Sequence, residues 1–155
     1  MAGTIDARLA ELGISLPTPA VPVASYLPFV RTGSLVMISG QITMNNGELQ
    51  YVGKLGDSLS VEEGYQAARL CGVNLIAQMR AACDGDLDRV RRVVRLGGFV
   101  NSTPDFTDHP KVINGASDLM QEVFGDAGQH ARAAVGSSSL PFGIAVEVDS
   151  VVEIN

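Results

Sequence analysis

One arginine and one glutamate near the end of the chain stand among small apolar residues, where their charges could bind and process an anionic small molecule. Arg132 lies in the run His130-Ala-Arg-Ala-Ala-Val, and Glu147 lies in the run Val146-Glu-Val. A guanidinium stays charged and is rarely buried unless a carboxylate or a phosphate meets it. From residue types alone, Arg132 either clamps a substrate carboxylate or forms a structural ion pair with Glu147 or another acid.

Glu147 has two possible roles of its own. A carboxylate in an apolar pocket is disfavoured in its charged form, so its pKa rises towards neutrality and it becomes suited to acid/base catalysis. The alternative is an edge-strand glutamate in solvent, like Glu153. The run Ser137-Ser-Ser has no placed His-Asp partner, and the sequence contains no Gly-x-Ser-x-Gly motif, so no conventional serine nucleophile is predicted.

Hydrophobic periodicity and turn residues predict the elements that must position these side chains. We expect, in chain order, a short helix with Thr4 as a possible cap and Gly13 as its stop, a proline-rich connector over 16–22, a hairpin of 24–31 and 34–39, and a turn at 45–47. There follow a helix from the Ser60-Glu63 capping box to about Cys83, a strand from Val90 to Asn101, a helix from Thr107 or Asp108 to Phe124, and two strands around Leu140-Pro141. Gly97-Gly98 is expected to mark a bulge or a close backbone approach. This order indicates an α+β sandwich, with two helices on one face of a mostly antiparallel sheet.

Composition limits the class of partner. The chain has 155 residues, of which 18% are charged and 46% apolar, enough for one globular domain with a sizeable core. The formal net charge of −6 argues against a nucleic-acid partner, because phosphate binding needs a broad basic surface. The basic run Arg89-Val-Arg-Arg-Val-Val-Arg95 is expected to be one solvated strand edge.

No metal, cofactor, disulfide or membrane span is expected. Cys71 and Cys83 are too far apart on one predicted helix to bridge, at about 18 Å, and are expected to be buried thiols in a reducing compartment. His109 and His130 have no cysteine partners at metal-ligand spacing. The sequence shows neither an apolar run long enough to cross a bilayer nor the pattern of a signal peptide, so we expect a cytoplasmic protein.

Two blocks of the sequence resemble the Rid family of reactive intermediate deaminases, formerly called YjgF or endoribonuclease L-PSP. Arg132-x-x-Val, followed by Leu-Pro and Val-Glu-Val, is similar to the family's closing signature, and residues 25–41, ending in Ser-Gly-Gln, are similar to its N-terminal strand pair. The resemblance implies one Rid-like domain over 1–155 with a chorismate-mutase-like fold, assembled as a homotrimer with ligand sites between subunits. It leaves residues 1–20 as a decoration that packs on the core or on a neighbouring subunit.

The resemblance also implies roles for individual residues. Arg132 falls on the family's carboxylate-binding arginine, and Glu147 falls on the acidic residue that holds or protonates the hydrolytic water or the leaving nitrogen. The implied substrate-binding positions are Tyr26, Ser39, Gly40, Phe99 and Ala134. Ala134 stands where many members carry cysteine, so only a backbone contact is expected there. A strand aromatic, a strand end and core packing would explain Tyr26, Ser39-Gly40 and Phe99 equally well.

One family position has no single counterpart in this chain. Many members carry a ligand-contacting asparagine at the start of the second helix, and Asn114, Ser117 and Asp118 fit that position equally. The activity that the resemblance implies is hydrolysis of reactive enamines and imines to a 2-keto acid and ammonia, without cofactor or metal. A small-molecule-binding trimer without catalysis, or with another specificity, is the alternative. A ribonuclease is disfavoured by the acidic charge and by the absence of a histidine pair.

Overall fold

The computed structural model describes residues 3–19, 21–22 and 24–155, which contain three α-helices and seven strands. Of the predicted connector, Ala20 lies outside the described residues. The elements are α1 Thr4–Glu11, β1 Phe29–Thr32, β2 Leu35–Gln41, β3 Met44–Asn45, β4 Glu48–Leu49, α2 Val61–Ala82, β5 Val90–Asn101, α3 His109–Phe124, β6 Ala131–Ser137 and β7 Val146–Ile154.

Five of the strands form one sheet in the order β1-β2-β7-β5-β6. All neighbours are antiparallel except β5 and β6, which are parallel. Both long helices pack on one face of this sheet and against each other. The predicted α+β sandwich with two helices on one face is therefore confirmed, and the last strand in sequence lies in the middle of the sheet.

The predicted boundaries of α2 and α3 are confirmed. Ser60 and Glu63 form the expected capping box at the start of α2, and Gly125 ends α3 with φ +62°. The first strand is shorter than predicted, since it begins at Phe29 and residues 24–28 form bends. Pro28 has no N–H to donate to a ladder, which accounts for the late start.

Gly97 and Gly98 allow side chains of neighbouring elements to lie close to the backbone of β5, and there is no bulge at this pair. A Cβ on Gly98 would lie 2.6 Å from the Ile113 side chain on α3, and one on Gly97 would lie 2.4 Å from Asp149 Oδ1 on β7. The irregularities of β5 fall between Val90 and Arg92 and between Val93 and Arg95. Of the two alternatives expected at the pair, the close backbone approach is the one found, and the irregularities of β5 lie elsewhere.

The arginine run of β5 is solvated as predicted. Arg91, Arg92 and Arg95 are exposed, and pairing with β6 begins only at Arg95. The outer edge of the first half of β5 therefore has no strand beside it among the described residues.

A carboxylate from a distant part of the chain binds the N-terminus of helix α1 and holds the helix on the domain. Its N-cap is Gly3, so the expectation that Thr4 caps it is wrong. Asp88 supplies the missing acceptor, because its carboxylate accepts from the backbone N–H groups of Thr4 and Ile5, each at 2.9 Å. Arg8 Nε donates to Glu122 O at 2.7 Å, which fixes the other end of α1 on α3.

Replacing Asp88 with alanine is expected to loosen α1. The two backbone hydrogen bonds, from Ile5 first and Thr4 second, lower the pKa of Asp88. Its contribution is therefore complete above the ordinary aspartate pKa and is lost as the pH falls through the lowered value. The protection factors of the α1 amides against hydrogen exchange should fall in D88A at neutral pH, and in the wild type only under acid. Equal exchange in both proteins at neutral pH would contradict this account.

Neither a disulfide nor a cluster of potential metal ligands is found among the described residues. Cys71 on α2 and Cys83 directly after this helix are free and buried, and burial raises the pKa of both thiols. In the part of the chain that the structure describes, no three His, Cys, Asp or Glu side chains are grouped as metal ligands require. None of the described helices combines the length and apolar character needed to cross a bilayer.

We expect the melting temperature to be unchanged by a chelator or by a reductant. The described residues contain no grouped metal ligands for a chelator to strip of metal and no disulfide for a reductant to cleave. Differential scanning calorimetry with EDTA and, separately, with a phosphine reductant measures this. A marked fall with either reagent would show that the prediction is wrong.

Candidate functional site

Arg132 lies on the edge strand β6 with its side chain on the helix-covered face. Its Cα partner in β5 is Leu96, which is fully buried beneath the helices. The half-buried guanidinium donates from Nη1 to Ser117 Oγ at 3.0 Å and from Nη2 to Pro110 O at 3.3 Å, both on α3. No carboxylate of the described residues lies within ion-pair distance of it. A guanidinium has five donors, so three remain for a ligand.

A pocket of about 350 Å³ opens beside this guanidinium. It is lined by Asn114, Ser117, Asp118, Gln121, Gln129, His130 and Arg132. All three residues left open for the family's asparagine position therefore line it. The Asp118 carboxylate accepts from the Tyr65 hydroxyl at 2.7 Å, and this bond raises the pKa of Tyr65 to about 12. The acid that lines the pocket is thus engaged with another partner than Arg132.

A serine and a histidine complete the polar side of this pocket. Ser117 Oγ lies 2.8 Å from His130 Nε2, and His130 Nδ1 lies 2.6 Å from Gly128 O. The sequence reasoning considered His130 only as a metal ligand and left Ser117 as one of three candidates. His130 and Arg132 are separated by one residue at the start of a strand, a spacing that places both on one face.

Glu147 lies on the opposite, helix-free face of the sheet. Its neighbours Val146 and Val148 are buried beneath the helices, while Glu147 is half-buried opposite Phe99. Burial raises the pKa of Glu147, and the nearby Asp149 carboxylate raises it further. The carboxylate rests against Gly40, where an added Cβ would lie 2.5 Å from Glu147 Oε2. The irregular register between Ile38 and Gln41 makes room for this contact.

Arg132 and Glu147 do not meet within one chain. Strand β5 lies between their strands, and the two side chains point to opposite faces. Because β6 pairs with β5 and not with β7, the two strands predicted around Leu140-Pro141 are not neighbours in the sheet. The structural ion pair considered for these two residues is excluded within the chain for the same reason.

The remaining predicted positions divide between these two faces. Phe99 and Gly40 lie with Glu147, and Ala134 lies on the Arg132 face, partly buried against the core. Ser39 Oγ donates to Leu27 O at 2.7 Å, so its hydroxyl holds the segment that carries Tyr26. Tyr26 itself is exposed in the bend before β1.

A larger pocket, of about 680 Å³, lies further along the same edge. Lys54 and His109 both line it. Lys54 Nζ donates to Asn101 Oδ1 at 2.6 Å and to Ser138 O, and Ser102 Oγ lies 3.2 Å from His109 Nε2. These contacts tie the loop before α2 to the ends of β5 and β6.

A mostly antiparallel sheet covered on one face by two helices is the architecture of the chorismate-mutase-like class of α+β domains. Residues 6–153 match the model of the family described as "YjgF/chorismate_mutase-like, putative endoribonuclease". The chain therefore belongs to the YjgF family.

Three similar proteins extend this assignment. Protein TCP17 of Trypanosoma cruzi is 51% identical over 99% of this chain and 96% of its own length. A 2-iminobutanoate/2-iminopropanoate deaminase of Dermatophagoides farinae is 30% identical over 91% of this chain and 94% of its own length. The crystal structure of an Agrobacterium tumefaciens protein of unknown function superimposes with a TM-score of 0.92, at 48% identity over 97% of this chain and 92% of that one.

Proposed function

We propose that this protein hydrolyses reactive 2-imino and 2-enamino acids to 2-keto acids and ammonia. The observation that carries the proposal is Arg132, a half-buried guanidinium that opens on a pocket with no carboxylate partner among the described residues. Such a group binds a substrate carboxylate with its remaining donors. The deaminase of D. farinae, a relative of 30% identity, supports this substrate class.

The proposed hydrolysis requires mainly that the substrate and a water molecule are held in position. Arg132 anchors the carboxylate, the enamine tautomerises to the imine, and a water attacks the imine carbon. Glu147 helps to position that water and to transfer protons, a task that its raised pKa supports. Because these substrates also hydrolyse spontaneously, a modest reduction of the barrier suffices, at about 1.4 kcal/mol for each tenfold acceleration. No cofactor or metal takes part in this scheme.

The site needs a second copy of the chain. Arg132 and Glu147 lie on opposite faces, so a cleft that contains both is formed by the helix-side edge of one protomer and the helix-free face of another. Val30, Met37 and Val135 leave that face with exposed apolar surface in the single chain, which an interface would cover. We propose a homotrimer in the cytoplasm, where the free thiols of Cys71 and Cys83 remain reduced.

A coupled assay tests the proposed function. A serine/threonine dehydratase generates 2-aminoacrylate or 2-aminocrotonate, and the appearance of the keto acid is followed with and without this protein. Sedimentation equilibrium at micromolar concentration tests the assembly. Unchanged keto-acid kinetics would reject the activity, and a monomer would reject the shared site.

Replacing Glu147 with glutamine is expected to lower turnover more than ligand binding. Glutamine keeps the shape and a hydrogen bond but cannot exchange a proton at neutral pH, so a loss of about a hundredfold in kcat is expected. Keto-acid formation and the affinity for 2-oxobutanoate are measured on both proteins, with thermal melts alongside. Turnover that falls only in step with stability would remove the proton-transfer role.

A small-molecule-binding trimer without this activity is the second candidate. Ala134 favours it, because a methyl group stands where many relatives carry a thiol, and the side chain is half-buried against the core. Under this alternative Glu147 would support binding alone. Calorimetric titration with 2-oxobutanoate in the absence of any acceleration of imine hydrolysis would establish it.

A further inference from the structure

Ser117 and His130 form a hydrogen-bonded pair in which Gly128 O fixes one ring proton of His130 on Nδ1. Gly128 O can only accept, so His130 Nδ1 carries a proton in the 2.6 Å contact between them. In the neutral ring Nε2 is then the acceptor, and the Ser117 hydroxyl donates to it over 2.8 Å. The backbone turn before β6 thereby selects the tautomer that receives a proton from the pocket.

Arg132 also polarises the Ser117 hydroxyl. Its Nη1 donates to Ser117 Oγ at 3.0 Å, so the hydroxyl accepts from a cation while it donates to the imidazole. A hydroxyl polarised in this way gives up its proton more readily. Its second lone pair stays free, because a serine hydroxyl accepts two hydrogen bonds and Arg132 uses one.

We propose that Ser117 and His130 form the proton-accepting pair of the Arg132 site. This inference rests on the proposed function and assigns the second proton-transfer group that it requires. A carboxylate held by Arg132 places its neighbouring carbon beside Ser117, where a water on the free lone pair of Oγ can reach it. Ser117 is then a catalytic residue, and His130 acts through it.

The proton movements balance over two steps. Water attacks the protonated imine, a C–O bond forms, and the C=N electron pair moves to nitrogen. The water's proton passes to Ser117 Oγ as the serine's own proton passes to His130 Nε2. In the second step the protonated carboxyl of Glu147, from the neighbouring subunit, gives its proton to the amine. The C–N bond breaks, ammonia leaves with the electron pair, and the hydroxyl becomes the keto group as its proton returns to Glu147. The departing ammonia then takes the proton from His130 Nε2 and leaves as ammonium, which restores the pair.

Glu147 is assigned the role of acid and His130 that of base because their surroundings differ. Burial raises the pKa of Glu147, which favours the protonated form that an acid needs. In the neutral His130 ring, the contact of Nδ1 with Gly128 O leaves Nε2 as the nitrogen that accepts from Ser117, which suits a base. The charged groups that line the pocket with His130 are Arg132 and Asp118, and Asp118 is engaged by the Tyr65 hydroxyl.

The experiment uses the full chain and three variants. S117A and H130Q each remove one member of the pair, and H109Q is the matched control, because His109 contacts Ser102 at 3.2 Å in the other pocket. We expect kcat to fall about a hundredfold in S117A and H130Q with KM nearly unchanged, and to stay at the wild-type value in H109Q. Circular dichroism verifies the fold of each variant.

A spectroscopic measurement provides the second readout. The chain contains two histidines, so ¹⁵N-histidine labelling gives two rings, which H109Q assigns. We expect the His130 ring to carry its proton on Nδ1 and to shift on addition of 2-oxobutanoate. Wild-type turnover in both S117A and H130Q, or a proton on Nε2, would overturn the pair. An inactive wild-type protein would instead overturn the proposed function.

Discussion

Replacing Arg132 with lysine is expected to lower keto-acid production about a hundredfold, or about 2.7 kcal/mol of transition-state stabilisation. Lysine keeps the positive charge but loses the planar fork that could hold a carboxylate while also donating to Ser117 Oγ and Pro110 O. The variant should fold normally, because the native guanidinium is half-buried and balances no buried carboxylate. The coupled assay measures the loss, with circular dichroism as the fold control. Equal rates would remove Arg132 from the site.

Mixing two inactive variants extends this prediction to the assembly. If each site takes Arg132 from one protomer and Glu147 from another, randomly mixed trimers of R132K and E147Q contain some sites with both native residues. About a quarter of the wild-type activity should return after the two proteins are unfolded and refolded together. Sites formed within a single chain would recover none, so the mixture distinguishes the two arrangements without a structure of the proposed assembly.

Replacing Gly115 with alanine is expected to destabilise the fold by about 3 kcal/mol, despite the better helix propensity of alanine. The new Cβ would lie 1.9 Å from Tyr65 O and 3.0 Å from Arg69 N, and both atoms belong to the backbone of α2. No rotamer change can relieve such a contact, so the two helices must separate. The midpoint of urea unfolding measures the cost.

Gly72 offers the matched control on the same helix interface. An alanine Cβ there would lie 2.8 Å from Leu119 Cδ2, the end of a flexible side chain, and 3.5 Å from Ala116 Cα. We expect G72A to cost distinctly less than G115A. Similar midpoints for the two variants would contradict the assignment of the cost to the backbone contact.

The sequence predicts this fold well where local chemistry determines it. The capping box at Ser60-Glu63, the strand Val90–Asn101 and the stop at Gly125 appear where they were expected, since each depends on neighbours in the chain. The cap of α1 was missed because its acceptor, Asp88, is far away in sequence. Periodicity carries no information about such long-range partners.

The candidate site is harder to predict for a related reason. Residue type singled out Arg132 and Glu147, but their relative position depends on which strand β6 joins. Parallel pairing with β5 requires the connection through α3, and two strands that follow each other along the chain suggest adjacency instead. Ser117 and His130 were overlooked as a pair because a helix end and a turn separate them.

The central place of β7 also bears on how the polypeptide is made. This strand follows every other element in sequence, yet it pairs with both β2 and β5. During synthesis the hairpin of β1 and β2 therefore lacks its neighbour until all the other strands of the sheet have been made, and its apolar surface stays uncovered until then. Contacts of such long sequence separation slow folding. A chaperone that binds the nascent hairpin would protect the chain until the central strand β7 has been synthesised.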